Sequence, residues 1–155
     1  MHQTIDLLAI LVTLLLTGVE FAVGVFVHPV ISKLQDTAHA EAAKPIARLL
    51  GNVMPFWYAA ALVLVIVSLL TRAVGTGSWW ACLSSAALLA VTVPFTLLCL
   101  VPINNRVAAW DLNALPENWK QDRGSWDRYH AIRIVILLLA STAILAAALW
   151  RPTGT

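Results

Sequence analysis

Charge is scarce in this chain. Only 12% of its 155 residues are Asp, Glu, Lys or Arg, while 60% are hydrophobic, a balance that leaves a water-soluble domain of this length without enough polar surface to cover its core. The formal net charge of +2 supplies no basic stripe and argues against a nucleic-acid partner. Cysteine is nearly absent: only Cys82 and Cys99 occur, and on one helix they stand about 25 Å apart along the axis, too far to bridge. Period-two alternation is missing from the apolar stretches, which excludes a transmembrane barrel. The first apolar run has no basic leader segment and no small-x-small cleavage site, so it reads as a span rather than a removed signal.

What is present is four long apolar runs, at about 5–31, 53–71, 79–100 and 130–150. Each is long enough, at 1.5 Å per residue, to cross a hydrocarbon core of about 30 Å. The expectation is one all-α domain over 1–155, a bundle of four transmembrane helices spanning the lipid bilayer of the cytoplasmic (inner) membrane. Trp79, Trp80, Trp110, Trp119, Trp126 and Trp150 fall at or beyond the predicted helix ends, which suits interfacial anchoring. Lys33, Lys44, Arg48, Arg106, Lys120, Arg123 and Arg128 flank the first and third loops, against Arg72, Arg151 and the N-terminal amine on the other side. The positive-inside rule then places loops 1 and 3 in the cytoplasm.

Loop 1 (32–53) carries apolar residues at helical spacing and predicts a short amphipathic helix at the membrane surface, with Asp36 as N-cap, a bend at Pro45 and a stop at Gly51. Loop 2 (72–78) is a tight glycine-containing turn, and loop 3 (101–133) is long and polar. Gly18, Ala22 and Gly24 on the first helix, with Ala140, Ala146 and Ala147 on the last, predict close helix packing.

The few polar residues gather at one end. Up-down connectivity brings His28 at the end of helix 1, Asn52, the Asn104-Asn105-Arg106 run, and His130 with Arg133 to the same membrane face. A site there opens at the loop 1/loop 3 end and reaches inward toward Glu20, which sits in mid-span. A lone carboxylate at that depth costs several kcal/mol, so it must be protonated, paired or metal-bound. The plain structural role for Glu20 is an ion pair with Arg133 that ties helix 1 to helix 4. His2 and His39 read as exposed. As chemistry, Glu20, His28 and His130 form a carboxylate and two imidazoles of the kind that holds copper, iron or zinc with open positions, although no local motif such as HExxH is present. Without a metal, His130 or Glu20 would be a general base and Arg133, Asn104 or Asn105 would stabilise an oxyanion.

Loop 3 also carries a family likeness. VPINNR (101–106), AAWD (108–111), Trp119 and WDRYHAIR (126–133), with a Phe-x-x-Pro element at Phe26 to Pro29 closing helix 1, resemble the anthrone-oxygenase-like family of small four-helix membrane proteins. That resemblance implies an oxidoreductase of natural-product biosynthesis that uses molecular oxygen on a hydrophobic small molecule. It carries over Asn104, Asn105, His130 and Arg133 as site residues. Joined to the donor set above, it gives an oxygenase with copper, or secondly iron, on Glu20, His28 and His130. Two readings compete with it: a small proton-coupled multidrug-type transporter that uses Glu20, and a non-catalytic membrane subunit. The long loops 1 and 3 count against the transporter.

Overall fold

The apolar runs become four spans, Gln3–Ile31, Asp36–Leu70, Gly77–Ala109 and Trp119–Leu149. The computed structural model describes residues 2–150, so Arg151, counted above on the sparse side, lies outside the described residues. The first span is α1 (His2–Ala22), a π turn (Val23–Val27) and α2 (His28–Ile31); the second is the single helix α3 (Asp36–Leu70). The third is α4 (Gly77–Phe95), a π turn (Thr96–Leu100) and α5 (Val101–Ala109), and the fourth is α6 (Trp119–Leu149). No β-strand occurs among the described residues. The protein is a multi-pass membrane protein of four helical spans, each helix touching two neighbours in a ring: α1 beside α3 and α6, and α4 beside the same two.

The two π turns share one setting. Each ends two residues before a proline, Pro29 in the first span and Pro102 in the third. In a regular helix a proline ring strikes the carbonyl four residues back and offers no N–H to it; widening the preceding turn by one residue relieves both faults. Spans one and three run the same way, so both wide turns lie toward the same end of the bundle and both touch α6.

The largest departure from the sequence reading is at that end. Loop 1 holds no separate surface helix: α3 starts at Asp36, capped by Gln35, and runs through Pro45, Gly51 and Pro55 without interruption. Loop 3 is mostly helical too, since α5 extends to Ala109 and α6 begins at Trp119. At 35 residues, α3 is about 52 Å long, well over the thickness of a hydrocarbon core, so a helical head stands beyond the membrane. The head has its own core of Ala40 and Ala43 from α3, Leu100, Ile103 and Val107 from the third span, and Trp110 and Trp126. Trp110 and Trp126 are therefore packing residues and not interfacial anchors. Apolar burial on this second core outweighs the helix-breaking tendency of Pro45 and Gly51.

Within the membrane the core is made of small and aliphatic residues, among them Ala9, Leu16, Ala61, Val65, Leu89, Ala140 and Ile144. Polar pairs tie the spans: Thr17 Oγ1 lies 2.8 Å from Ser141 Oγ, and Ser85 donates to the Ala140 carbonyl at 2.9 Å. At the far end Arg72 pairs with Asp6 at 2.8 Å and donates to the Ala147 carbonyl. Gly75 makes the turn there with φ +84. Cys82 is buried and Cys99 half-buried, both as free thiols. Of the predicted small-residue contacts, Gly24, Ala140 and Ala147 are in the packing, whereas Gly18 meets nothing and Ala146 is exposed.

Candidate active site

Glu20 is 2% exposed, and side chains of the second and fourth spans bond to it. Its Oε2 accepts from Arg133 Nη2 at 2.6 Å, and its Oε1 accepts from the Tyr58 hydroxyl at 2.9 Å. The same arginine lies over the Tyr58 ring and reaches Thr96 Oγ1 of the third span at 3.4 Å. His130 lies beside the pair, its Nε2 3.0 Å from the backbone carbonyl of Glu20 and its Nδ1 3.0 Å from Arg133 Nη2. A carbonyl only accepts and a guanidinium only donates, so Nε2 carries the hydrogen and Nδ1 accepts. Nδ1 also lies 3.3 Å from Glu20 Oε2, a contact between two acceptors in that tautomer.

This approach of α6 to the first span needs Gly24. A Cβ there would fall 2.6 Å from Ile134 Cδ1 and 2.9 Å from His130 Cδ2. Gly24→Ala is expected to destabilise the protein by about 1–3 kcal/mol through overpacking, read as a lowered unfolding midpoint in detergent, whereas Gly18→Ala, which meets open space, leaves it unchanged.

Toward the head, His28 stacks on Trp126 with ring centroids 4.1 Å apart, and Trp126 stacks on His130 at 4.3 Å. His28 Nδ1 has two suitors: Asp127 Oδ1 at 3.0 Å and Arg123 Nη2 at 2.5 Å. One ring nitrogen either donates to the carboxylate or accepts from the guanidinium. Arg123 also pairs with Asp127 at 3.0 Å, closing the triangle. Trp126 Nε1 donates to Asn104 Oδ1 at 2.7 Å, which leaves the Asn104 amide nitrogen as a donor.

Beside this polar wall is a cavity of about 290 Å³, bounded by α3 from Ala43 to Leu62, by Val93, Thr96, Leu97, Val101 and Asn104 of the third span, and by α6. Its walls are mostly apolar; the polar side chains on it are His28, Tyr58, Thr96, Asn104, Arg123 and Arg133. Gly51, Pro55, Ala59 and Leu97 on its rim are exposed in membrane-spanning helices, so the rim faces lipid. Glu20 and His130 stand behind this wall. A second cavity of about 400 Å³ lies on the other side of His28, between the first span and α6, and touches Asp127, Ser32 and His130.

The family model for anthrone oxygenase matches residues 46–143, more than half of the chain. The chain belongs to the anthrone oxygenase family. No curated protein and no solved structure matches it. The stretch matched to the anthrone oxygenase model holds Tyr58, Thr96, Asn104, Arg123, Trp126, Asp127, His130 and Arg133, while Glu20 and His28 lie before it.

Of the residues that sequence reading assigned to the site, Glu20, His28, His130, Arg133 and Asn104 come together, and Asn105 does not: it is exposed on the outer face of α5. Asn52 is exposed as well, and His39 is buried against Trp119 with its Nδ1 3.0 Å from the Ile31 carbonyl. The metal set drawn from Glu20, His28 and His130 does not suit copper or iron. Glu20 is already occupied by a guanidinium and a phenol, and both nitrogens of His130 face other partners. An ion there would share the pocket with the Arg133 charge, and among the described residues no three His, Cys, Asp or Glu side chains are grouped as ligands.

Sequence reading missed Tyr58, Thr96, Arg123, Trp126 and Asp127 as site residues. A signal existed for three of them: Arg123, Trp126, Asp127, His130 and Arg133 recur at three- and four-residue steps, the spacing of one helix face.

Proposed function

We propose that this anthrone oxygenase family member is a membrane oxygenase that takes an apolar substrate with an acidic C–H conjugated through aryl rings to a ketone, as in an anthrone, and inserts one atom of molecular oxygen without a metal. The observation that carries it is the cavity's composition: apolar walls, one imidazole hydrogen-bonded to a carboxylate, and an arginine held by a buried glutamate. His28, with its Nδ1–H turned to Asp127, offers Nε2 as the general base. It takes the C–H proton, and the charge moves to the ketone oxygen, where Arg133 and the Asn104 amide nitrogen stabilise the enolate. Tyr58, Glu20, His130 and Thr96 fix the guanidinium and so remove the cost of reorganising it during the step.

The enolate carbon is oxidised by dioxygen to a hydroperoxide, with the oxygen taking the electrons and the His28 proton. Loss of the remaining C–H proton breaks the O–O bond and expels hydroxide. The methylene thus becomes a carbonyl, one dioxygen is consumed, and the second oxygen atom leaves as water. Lys33, Lys44, Arg48, Lys120 and Arg128 at the head end, with Arg72 opposite, support a cytoplasmic head in the inner membrane. The purified protein in lipid nanodiscs should consume one dioxygen per anthrone oxidised, measured by oxygen electrode and quinone absorbance, and keep that rate in chelator. No oxygen uptake above the uncatalysed rate overturns the oxygenase reading, and loss of the rate in chelator overturns its metal-free form.

A further inference from the structure

The cavity has two arginines, and the chemistry above uses one. Arg123 and Arg133 both line it, and both are buried, at 8% and 6% exposure. Each spends Nη2 on protein partners: Arg123 donates to Asp127 and Arg133 to Glu20 and His130. Each keeps an Nε–H with no hydrogen-bond partner among the described residues. These Nε–H groups are closed to a water-sized molecule, so what Arg123 turns to the cavity is the rest of its guanidinium, where hydrogen bonds are made through Nη2 alone and donors are left over.

The placement of the two arginines sets the shape of a partner for such donors. Ten residues of α6 separate them, about 15 Å of axial rise, with Trp126 between. Arg133 lies against Tyr58 and Thr96 deep in the membrane; Arg123 lies one turn beyond Trp126, the residue that bonds Asn104, toward the head. The cavity is long in the same direction, since its α3 wall runs from Ala43 to Leu62, about 28 Å at 1.5 Å per residue.

We infer that Arg123 is a second substrate anchor: it binds an acceptor oxygen, best a carboxylate or phenolate, at the head-side end of an elongated apolar molecule whose ketone lies on Arg133. The selected substrates are flat, lipid-soluble molecules with an oxygen at each end of the long axis. Arg123 is then a specificity residue, and its contact with His28 joins substrate occupancy to the base. The inference rests on the oxygenase reading for what happens at Arg133, but not for binding itself.

The test is equilibrium dialysis of the detergent-solubilised protein with anthraquinone and anthraquinone-2-carboxylate, which differ by one terminal anion. Wild type is expected to prefer the carboxylate by about ten- to hundredfold, the worth of a hydrogen bond to a charged group. Arg123→Gln should erase the preference and leave anthraquinone binding within about twofold. Arg133→Gln should weaken both ligands. Arg123→Lys keeps a cation for Asp127 but lacks the planar fork that has donors to spare, so it too should lose most of the preference if the glutamine variant does not fold. Equal affinities in wild type, equal weakening of both ligands in Arg123→Gln, or full preference in Arg123→Lys overturns the inference. Absence of oxygen uptake would remove the oxygenase reading and leave this preference standing.

Discussion

Glu20→Ala is expected to destabilise the protein by about 3–5 kcal/mol and to abolish oxygen uptake. The substitution removes the carboxylate that sits 2.6 Å from Arg133 Nη2 and leaves a buried guanidinium without its counter-charge. Tyr58 loses its acceptor in the same stroke, and a phenol left unpaired in the core adds to the cost. Removing both charges is a different experiment. The double variant Glu20→Ala, Arg133→Met replaces an ion pair with apolar side chains, and such replacements of buried pairs are neutral or stabilising as often as not. Most of the lost stability should return, while activity stays at the uncatalysed rate because the oxyanion donor is gone. The readouts are the unfolding midpoint in detergent and the oxygen electrode. If the single variant loses less than about 1 kcal/mol, the pair contributes no more than a surface salt bridge. If the double variant regains activity along with stability, the pair is a structural tie between α1 and α6 and Arg133 has no part in the reaction.

The outline of this site could be read from the sequence because the membrane makes a few rules strict. Four runs of bilayer length had to be helices, and an up-down order had to bring His28, Asn104, His130 and Arg133 to one end. A mid-span carboxylate had to find a cation, and Arg133 was the one within reach. The rest was hidden for identifiable reasons. Pro45 and Gly51 suggested a broken loop 1 because local propensity says so, yet α3 runs through both since Ala40 and Ala43 pack on α5 in a second core that exists only in three dimensions. Trp126 read as an anchor because it lies outside the apolar run, but the helical head buries it between two imidazoles. Tyr58 gave no periodic signal; only its hydrogen bond to Glu20 reveals it. Asn104 and Asn105 are indistinguishable as a dipeptide, and the helical rotation between adjacent residues sends one to the cavity and the other outward.

His28→Ala should lower kcat by about 10²–10⁴-fold, the usual contribution of a positioned general base, with little change in anthraquinone affinity. Two histidines are close to the reaction, and their surroundings separate them. His28 borders the cavity and holds Nδ1 toward Asp127, the arrangement that frees its other nitrogen. His130 spends one nitrogen on the Glu20 carbonyl and the other on Arg133, so it can steady the arginine but has no site left for a substrate proton. His130→Gln, which can still donate to the carbonyl, should therefore cost stability more than kcat. Imidazole is small enough for the space left by the missing ring, and added imidazole should restore part of the rate to His28→Ala and none to His130→Ala. Asp127→Asn should also slow the wild-type enzyme, because Arg123 then has His28 Nδ1 to itself and the hydrogen moves to Nε2, the wrong tautomer for a base. Equal losses in both histidine variants without rescue in either would take the base away from His28 and assign the stacked His28–Trp126–His130 column a purely structural part.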